Sequence, residues 1–184
     1  MKILRKMLIP FALLYGFVTW SRNLLYNAGI LKSKSYDLPV ICVGNLNAGG
    51  TGKSPMIEYL LKFLLPEYKV ATLSRGYKRS TKGYKLLSGN ETAAEVGDEP
   101  LQFKRKFNTA MVAVDADRQN GISKLQKENP EIILLDDAFQ HRKVKAGLNI
   151  LLTAYNDLYV NDFMLPTGYL REPTVGAERA KIII

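Results

Sequence analysis

A glycine-rich loop between an apolar strand and an amphipathic helix is the feature that most restricts the fold of this 184-residue chain. Pro39–Gly44 is a short, β-branched apolar run, and residues 44–54 then read GNLNAGGTGKS. Apolar residues recur at helical spacing just beyond, at Met56, Ile57, Leu60, Leu61 and Leu64. Strand, glycine-rich loop, Gly-Lys-Ser and helix in this order are typical of a phosphate-binding loop. An ordinary glycine-rich turn before a helix is the alternative.

The residue types of this loop suit a bound nucleotide. Glycines allow successive N–H groups to point at phosphate oxygens, and the start of a helix adds partial positive charge. We expect Lys53 to contact the β- and γ-phosphates and the Ser54 hydroxyl to bind Mg²⁺. Asn47 stands where the common pattern has glycine, and asparagine tolerates left-handed backbone better than most residues. The predicted nucleotide-binding residues are Asn47, Ala48, Gly49, Gly50, Thr51, Gly52, Lys53 and Ser54.

Apolar runs and helical patterns alternate along the rest of the chain. Further strands are predicted at 69–73, 110–114, 132–135 and 148–152, and helices at 97–107 and 118–127. Residues 75–90 look like a loop or small hairpin, and 165–173 like a loop punctuated by proline and glycine. Alternation of this kind predicts an α/β fold of the phosphate-loop NTPase type, with a largely parallel sheet and helices on both faces. Ligands bind at the carboxyl ends of the strands in such folds.

Two carboxylates directly follow the apolar run at 132–135. Asp136 and Asp137 follow Ile132–Leu135 directly, and a carboxylate at this position in phosphate-loop proteins holds Mg²⁺. We predict Asp136 as a metal ligand. Gln140 and His141 follow closely, and His141 is the single histidine of the chain. A lone histidine is more often structural than catalytic, but its place beside the two carboxylates favours a role in the site.

Other polar clusters also follow predicted strands or precede helices. Asp98 and Glu99 come after Gly97, where an aspartate caps a helix or acts as a general base toward an attacking hydroxyl. Arginines are candidates for binding phosphate, although single basic residues are often simply solvated. The candidates for substrate binding are Arg75, Tyr77, Arg118, Gln140 and Arg171.

Composition excludes several classes of protein. With 47% hydrophobic and 23% charged residues, the chain is neither wholly disordered, nor collagen-like, nor a multi-span membrane protein. The net charge of +9 indicates an anionic partner, which could be phosphate, nucleic acid or an acidic membrane surface. The single cysteine, Cys42, excludes an intramolecular disulfide and is interpreted as a small core residue rather than a reactive thiol.

The amino terminus has a composition of its own. Lys2, Arg5 and Lys6 precede fourteen uncharged residues, Met7–Trp20, which are too few to span a bilayer as a helix. A secretory signal, a core helix and a helix lying in the membrane interface are the three interpretations, and the third suits the flanking cations and aromatics best. We therefore divide the chain into a membrane-associated helix at 1–30 and a kinase-like domain at 37–184. The last four residues, Lys181–Ile184, read as a strand cut in mid-run, which predicts a fragment.

Six motifs in chain order resemble those of the tetraacyldisaccharide 4′-kinase family, the lipid A 4′-kinases of Gram-negative bacteria. Together they cover nearly the whole chain, and only the phosphate loop among them is generic. They are GNLNAGGTGKSP at 44–55, LSRGY at 73–77, VGDEP at 96–100, DR at 117–118, LDDAFQHR at 135–142 and LPTGYLREP at 165–173. The basic, apolar amino terminus also resembles the membrane-seated helix of this family.

This resemblance implies a reaction and its partners. Such enzymes transfer the γ-phosphate of ATP, with Mg²⁺, to the 4′-hydroxyl of a tetraacyldisaccharide 1-phosphate in lipid A biosynthesis. They work at the cytoplasmic face of the inner membrane. The implied partners are the acylated lipid and an anionic membrane surface, with no nucleic acid and no obligate protein partner. Family members carry a second, smaller domain that closes the nucleotide cleft and supplies a histidine, so the chain alone is expected to turn over poorly.

The resemblance also implies residue roles. Asp98 would be the base, Asp137 and His141 catalytic groups, and Arg75, Arg118 and Arg171 ligands of phosphate or of the lipid headgroup. The chain departs from the family at Asn47, Ser54 and Ala138, where threonine or serine, threonine, and glycine are usual.

Two other functions compete with a lipid kinase. A different phosphate-loop protein, such as a GTPase or a metal-chaperone ATPase, would share the loop, but no Asn/Thr-Lys-x-Asp motif for reading guanine is present. A non-enzymatic basic module at a membrane surface or on nucleic acid would explain the charge. It would leave the loop at 49–54 and the pair Asp136 and Asp137 unexplained, and the basic residues lack interleaved aromatics.

Overall fold

The computed structural model describes residues 7–184, and these contain one seven-stranded sheet in the order β3-β4-β2-β5-β1-β6-β7. All neighbouring strands are parallel except β3, which runs antiparallel to β4. The strands are β1 Val40–Gly44, β2 Val70–Ser74, β3 Lys85–Leu86, β4 Met111–Val114, β5 Ile132–Asp136, β6 Leu148–Leu151 and β7 Ile182–Ile183. The predicted, largely parallel sheet is therefore confirmed.

Five α-helices lie within the described residues. They are α1 Ile9–Asn27, α2 Lys53–Leu64, α3 Ala93–Val96, α4 Asp98–Lys106, α5 Arg118–Leu125, with 3-10 turns at Gln126–Glu128, Tyr159–Asn161 and Thr174–Arg179.

 The strands and helices predicted from the alternating pattern all form, with ends that differ by at most two residues.

The hydrophobic core lies on both faces of the sheet. On one face, Ile57 and Leu61 of α2 and Phe103 of α4 pack against the sheet and are fully buried or nearly so. On the other face, Ile122 and Leu125 of α5 do the same. The central strands β1, β2 and β5 are covered from both sides, which explains why they read as continuous apolar runs rather than alternating ones. The prediction of helices on both faces is confirmed.

The segment between β2 and β4 differs from the sequence-based interpretation. Residues 75–90 do not form a hairpin, because their one strand, β3, pairs with β4 and not with a strand of the same segment. The short helix α3 was not predicted. Thr92 and Glu95 form a capping box at its start, a local signal that the sequence contains. Asp98 does not cap α4, since Gly97 is the N-cap residue and Asp98 lies in the first turn.

Helix α1 is amphipathic with its apolar side turned away from the protein. Its polar residues Tyr15, Thr19, Arg22 and Asn23 share one face, three or four positions apart, and Asn23 is buried. The exposed apolar side chains of the helix are Ile9, Phe11, Leu13, Leu14, Phe17, Val18, Trp20, Leu24 and Leu25. Within residues 7–184, no helix has the length and apolar character needed to cross a membrane. The predicted basic start, Lys2, Arg5 and Lys6, lies outside the described residues.

Cys42 lies in the core, as predicted. The side chain is buried in β1, and burial, with the negative charge of Asp137, raises the pKa of its thiol to about 12. The thiol is therefore protonated at neutral pH and packs as a small apolar group.

Gly44 allows the end of β1 to approach the segment that follows β5. A Cβ atom at position 44 would lie 2.6 Å from the Cβ of Phe139 and 3.1 Å from its backbone nitrogen. The Cβ and the backbone nitrogen of Phe139 can move only if the main chain moves with them. The close contact between the phosphate loop and the LDDAFQHR motif therefore requires glycine here.

We expect Gly44→Ala to destabilise the protein by about 1–3 kcal/mol, the usual cost of overpacking a rigid core. This corresponds to a fall in Tm of about 2–4 °C for each kcal/mol in a domain of this size. Thermal unfolding followed by circular dichroism measures it. Gly147→Ala is the matched control, because a Cβ there would meet only the Val40 carbonyl oxygen at 3.7 Å. Equal Tm values for the two variants would contradict the prediction.

Candidate active site

The glycine-rich loop joins β1 to α2, and Lys53 is the first residue of α2. The Lys53 amine lies 3.3 Å from the side-chain oxygen of Asn45, 3.2 Å from the Gly49 carbonyl oxygen and 3.8 Å from a carboxylate oxygen of Asp137. Gly49 and Gly52 have φ angles of 149° and 84°, which favour glycine. Residues 48–50 are exposed. The loop thus presents main chain and one ammonium group to solvent at the start of a helix, as an anion site requires.

Asn47 does not use the left-handed backbone that its sequence position suggested. It is absent from the residues with positive φ, and its side chain is buried instead. The Asn47 amide donates to the carboxylate of Asp162 at 2.9 Å, and the neighbouring Ala48 N–H donates to the Tyr169 carbonyl at 2.7 Å. The expected reason for tolerating asparagine was therefore wrong. The Asn47 side chain instead links the loop to the segment at 162–170 by a hydrogen bond.

Asp137 forms a two-bonded ion pair with Arg171. Arg171 donates two hydrogen bonds to its carboxylate, at 2.8 and 3.2 Å. Burial would raise the pKa of Asp137, but the hydrogen bonds and charge of Arg171, with the charge of Lys53, hold it below its ordinary value. Asp137 also has a φ of 47°, a conformation that aspartate adopts more readily than most residues. The carboxylate is consequently ionised and fixed between two cations.

Asn45 is a site residue that the sequence analysis missed. It is fully buried, and its side-chain oxygen accepts hydrogen bonds from Lys53 and Arg171. Its main-chain oxygen accepts from Gln140 at 2.8 Å and from Arg171 at 3.1 Å. The signal that could have identified it is a polar residue directly after a buried strand of a parallel sheet.

Asp136 is the deeper of the two carboxylates. One of its oxygens accepts a hydrogen bond from Ser74 at 3.2 Å, and the other has no partner among the described residues. Burial, with the negative charges of Glu99 and Asp137, raises the pKa of Asp136 to about 7. Glu99, which the sequence analysis did not include in the site, accepts a hydrogen bond from the Ser54 hydroxyl.

These oxygens suit a magnesium ion, although they do not form a metal cluster by themselves. Residues 7–184 contain no group of three or more His, Cys, Asp or Glu side chains placed to hold a metal. The unpartnered Asp136 oxygen and the Ser54 hydroxyl are nonetheless the hard oxygen ligands that Mg²⁺ takes when phosphate and water complete its shell. The residues present therefore fit the ion.

A cavity of about 250 Å³ opens beside Asp137 and Arg171 and extends beneath α1. It brings together five of the predicted residues, Arg75, Asp137, Gln140, His141 and Arg171, with polar side chains of α1. Burial, with the positive charges of Arg118 and Arg75, lowers the pKa of His141 to about 4. His141 is therefore neutral at pH 7, and it faces the cavity as a hydrogen-bonding group without charge.

Glu172 hydrogen-bonds to three parts of the chain around this cavity. The sequence analysis did not identify it as a site residue. Its buried carboxylate accepts hydrogen bonds from Asn23 at 2.7 Å, Gln140 at 3.1 Å and Arg179 at 2.8 Å. Gln140, predicted to bind substrate, is thus engaged in fixing the loop after β5. Glu172 orders α1 and this loop relative to each other.

Three predicted site residues are placed differently from the rest. Asp98 is exposed, and its carboxylate has no hydrogen-bond or ion-pair partner within residues 7–184. Arg118 is enclosed and donates to the main-chain oxygens of Asp115 and Asp136, so the structure gives it a packing role. Tyr77 is exposed, with the Lys78 amine 5.4 Å from its ring. Their predicted contacts with substrate stay predictions.

Comparisons with known proteins agree on one family. The family described as tetraacyldisaccharide-1-P 4′-kinase matches residues 4–184. Tetraacyldisaccharide 4′-kinases from Flavobacterium johnsoniae and Flavobacterium psychrophilum are 60% and 61% identical to the chain over its whole length. The chain covers 55% and 54% of these two proteins, so it spans about half the length of the curated relatives it matches.

A solved structure has the same fold. The crystal structure of LpxK from Aquifex aeolicus in complex with ATP superposes with a TM-score of 0.90 and is 42% identical. The match covers 98% of this chain and 58% of that one. Family match, sequence identity and fold together show that the chain belongs to the tetraacyldisaccharide-1-P 4′-kinase family.

Proposed function

We propose that this chain carries the nucleotide site and the acceptor site of a kinase that transfers the γ-phosphate of ATP to the 4′-hydroxyl of a tetraacyldisaccharide 1-phosphate. The observation that carries the proposal is the junction of the two sites. Asp137 and Arg171 contact the phosphate loop and also line the arginine-rich cavity beneath α1. Donor and acceptor would therefore meet at this pair. The relatives, which carry the name of this reaction, support the assignment.

On the donor side, the phosphate loop would bind ATP. Lys53 and the exposed main chain of residues 48–50 supply positive charge and N–H donors to the phosphates. The ATP present in the Aquifex aeolicus structure supports the choice of nucleotide. Ser54 and Asp136 would hold Mg²⁺, with Glu99 beside them. The ion would supply positive charge against the phosphate oxygens.

On the acceptor side, Asp98 would accept the proton of the 4′-hydroxyl. Its freedom from hydrogen bonds within the described chain leaves the carboxylate available as a base. Arg171, held by Asp137, would stabilise the charge on the transferred phosphoryl group, and neutral His141 would hydrogen-bond the acceptor. Phosphoryl transfer depends mainly on positioning and charge stabilisation, which fixed cations of this kind supply.

Helix α1 would seat the enzyme on the membrane. Its outer face exposes a continuous set of apolar and aromatic side chains, among them Phe11, Phe17 and Trp20. A soluble protein rarely leaves so large an apolar surface in water, whereas a helix in the membrane interface buries it in the acyl region. The lipid acceptor lies in the same layer. We infer a location at the cytoplasmic face of the inner membrane of a Gram-negative bacterium, where the anionic leaflet suits the net charge of +9.

Phosphate transfer to the lipid tests the proposal. For this experiment we define the extended chain as these 184 residues continued by the carboxyl-terminal part of the Flavobacterium johnsoniae relative. In detergent micelles with Mg²⁺ and γ-labelled ATP, it is expected to label the tetraacyldisaccharide 1-phosphate and not the same lipid already phosphorylated at the 4′ position. Labelling of neither lipid, by an extended chain that unfolds cooperatively, would contradict the proposal.

We expect Lys53→Ala to weaken both ATP binding and phosphate transfer in the extended chain. Charge-assisted hydrogen bonds contribute about 1.5–3 kcal/mol, so the loss in ATP affinity should be about 10- to 100-fold. Equilibrium titration with a fluorescent ATP analogue measures the affinity. Lys62→Ala is the control, because this lysine lies on the exposed side of α2. A normal affinity in Lys53→Ala would remove Lys53 from the nucleotide site.

Asp98→Ala in the extended chain should lower kcat by at least about 100-fold, the low end of general-base contributions, and leave ATP affinity nearly unchanged. Steady-state kinetics with the lipid acceptor measure the first quantity and nucleotide titration the second. Glu67→Ala, which removes an exposed carboxylate in the loop after α2, is the control. Near-normal turnover in Asp98→Ala would refute the assignment of the base.

Asn45→Ala should affect the donor site although Asn45 is buried and cannot touch solvent. The change removes the acceptor that holds the Lys53 amine and Arg171. We expect ATP affinity to fall by about tenfold, the effect of about 1.4 kcal/mol. The Tm is measured on the same samples, and a fall in Tm with unchanged affinity would show that Asn45 stabilises the fold without positioning Lys53.

A further inference from the structure

The carboxylate of Asp162, a half-buried residue, accepts hydrogen bonds from three N–H groups. One oxygen accepts from the Asn47 side chain at 2.9 Å and from the Tyr169 backbone at 3.0 Å. The other accepts from the Phe163 backbone at 2.8 Å. Among the described residues, no cation forms a salt bridge with it. Hydrogen bonds to a carboxylate are stronger than those between neutral groups, so Asp162 fixes the donors around it.

These donors join the phosphate loop to the segment that carries Arg171. Next to the bond from Asn47, two main-chain hydrogen bonds of 2.7 and 2.8 Å connect residues 46–48 with residues 169–171. The contact between the two segments is antiparallel. Arg171 lies at its end and binds the carboxylate of Asp137 with its guanidinium group. The backbone of the phosphate loop is therefore bonded directly to the backbone of an arginine of the acceptor cavity.

A tight turn at Gly168 closes the segment around Asp162. Gly168 is buried, and a Cβ atom there would collide with the Phe163 carbonyl oxygen and with a carboxylate oxygen of Asp162. No side chain larger than a hydrogen atom fits at this position without a shift of the backbone. A displacement of the Asp162 carboxylate would consequently move residues 169–171 with it.

We propose that Asp162 is a positioning residue, which through Asn47 and the Tyr169 backbone fixes the phosphate loop relative to Arg171. This inference rests on the proposed function, in which the loop binds ATP and Arg171 stabilises the transferred phosphoryl group. Asp162 does not line the cavity beneath α1, so it acts through Arg171 and not on the acceptor. Asn47 likewise acts through its bond to Asp162 and not on the phosphates. Reacting groups misplaced by about 1 Å react about 100-fold more slowly, so such a link controls the rate.

Steady-state kinetics of the extended chain, with Mg-ATP and the lipid acceptor, test the inference. The variants are Asp162→Ala, Asn47→Ala, Asn47→Asp, and Asn47→Asp combined with Asp162→Asn. Asp157→Asn is the matched control, because Asp157 is an exposed carboxylate in the same connection between β6 and β7. All rates are measured well below the lowest Tm of the set, so that every variant is folded during the measurement.

We expect Asp162→Ala to lower kcat by about 10- to 100-fold and to leave the KM for ATP nearly unchanged, because misplacement weakens the transition state more than nucleotide binding. Asn47→Ala removes one of the three hydrogen bonds and should lower kcat by about tenfold. Asn47→Asp places two carboxylates together. Adding Asp162→Asn restores an amide opposite a carboxylate, so the double variant should recover part of the lost kcat. The control should match the unsubstituted chain.

Amide hydrogen exchange, measured without ATP or lipid, separates this inference from the proposed function. Asp162→Ala should raise the exchange rates of the Ala48 and Arg171 amides, which form the two main-chain bonds, by about tenfold. The amides of β5 should exchange at an unchanged rate. An unsubstituted chain that transfers no phosphate, together with this exchange pattern, would contradict the proposed function and leave the link between the loop and Arg171 intact.

Four results would overturn the inference. The first is a kcat equal to that of the control in both alanine variants, and Asn47→Ala alone decides this point if Asp162→Ala does not fold. The second is a raised KM for ATP with a normal kcat in Asn47→Ala, which would assign this side chain to the nucleotide. The third is a double variant no faster than Asn47→Asp. The fourth is unchanged exchange of the Ala48 and Arg171 amides.

Discussion

The carboxylate of Asp137 lies between two cations, and the parts of the site are held together by this arrangement. Arg171 binds it with two hydrogen bonds at 2.8 and 3.2 Å, and the Lys53 amine lies 3.8 Å away. A half-buried carboxylate loses hydration, which only a close, well-oriented partner repays. Arg171 supplies that geometry with its planar fork, and a lysine in its place could not. The phosphate loop, the end of β5 and the segment at 171 are consequently fixed relative to one another.

Arg171 also links this ion pair to the helix that carries the apolar surface. Its main-chain oxygen accepts a hydrogen bond from the Tyr15 hydroxyl at 2.9 Å, and its neighbour Glu172 accepts from Asn23. The residue after β5 that binds Glu172 is Gln140, which also bonds to Asn45. Polar groups of α1 are therefore part of the same hydrogen-bonded network as the candidate active site. A displacement of α1 would leave Glu172 buried with fewer partners, which is costly.

The sequence predicted the elements of this fold better than the contacts of its site. Continuous apolar runs and helical spacing are local patterns, so the central strands and the phosphate loop could be identified directly. Asn45 and Glu172 could not, because their partners lie far away in the chain. Asn45 meets a residue 126 positions away, and Glu172 meets one 149 positions away. Asn47 was placed correctly in the loop but for the wrong reason, since its role depends on Asp162, a contact that no local pattern encodes.

The orientation of α1 follows from the hydrogen bonds that its polar side chains make with the rest of the protein. A helix on the surface of a soluble domain buries its apolar face, whereas α1 turns Phe11, Phe17 and Trp20 outward and keeps Arg22 and Asn23 against the protein. Rotating the helix to bury the apolar side would break the bonds from Tyr15, Arg22 and Asn23 at once. The hydrogen bonds therefore fix which face is exposed, and the membrane interface proposed above would cover it. A lipid acceptor held in that interface would meet the arginines of the cavity directly beneath the helix.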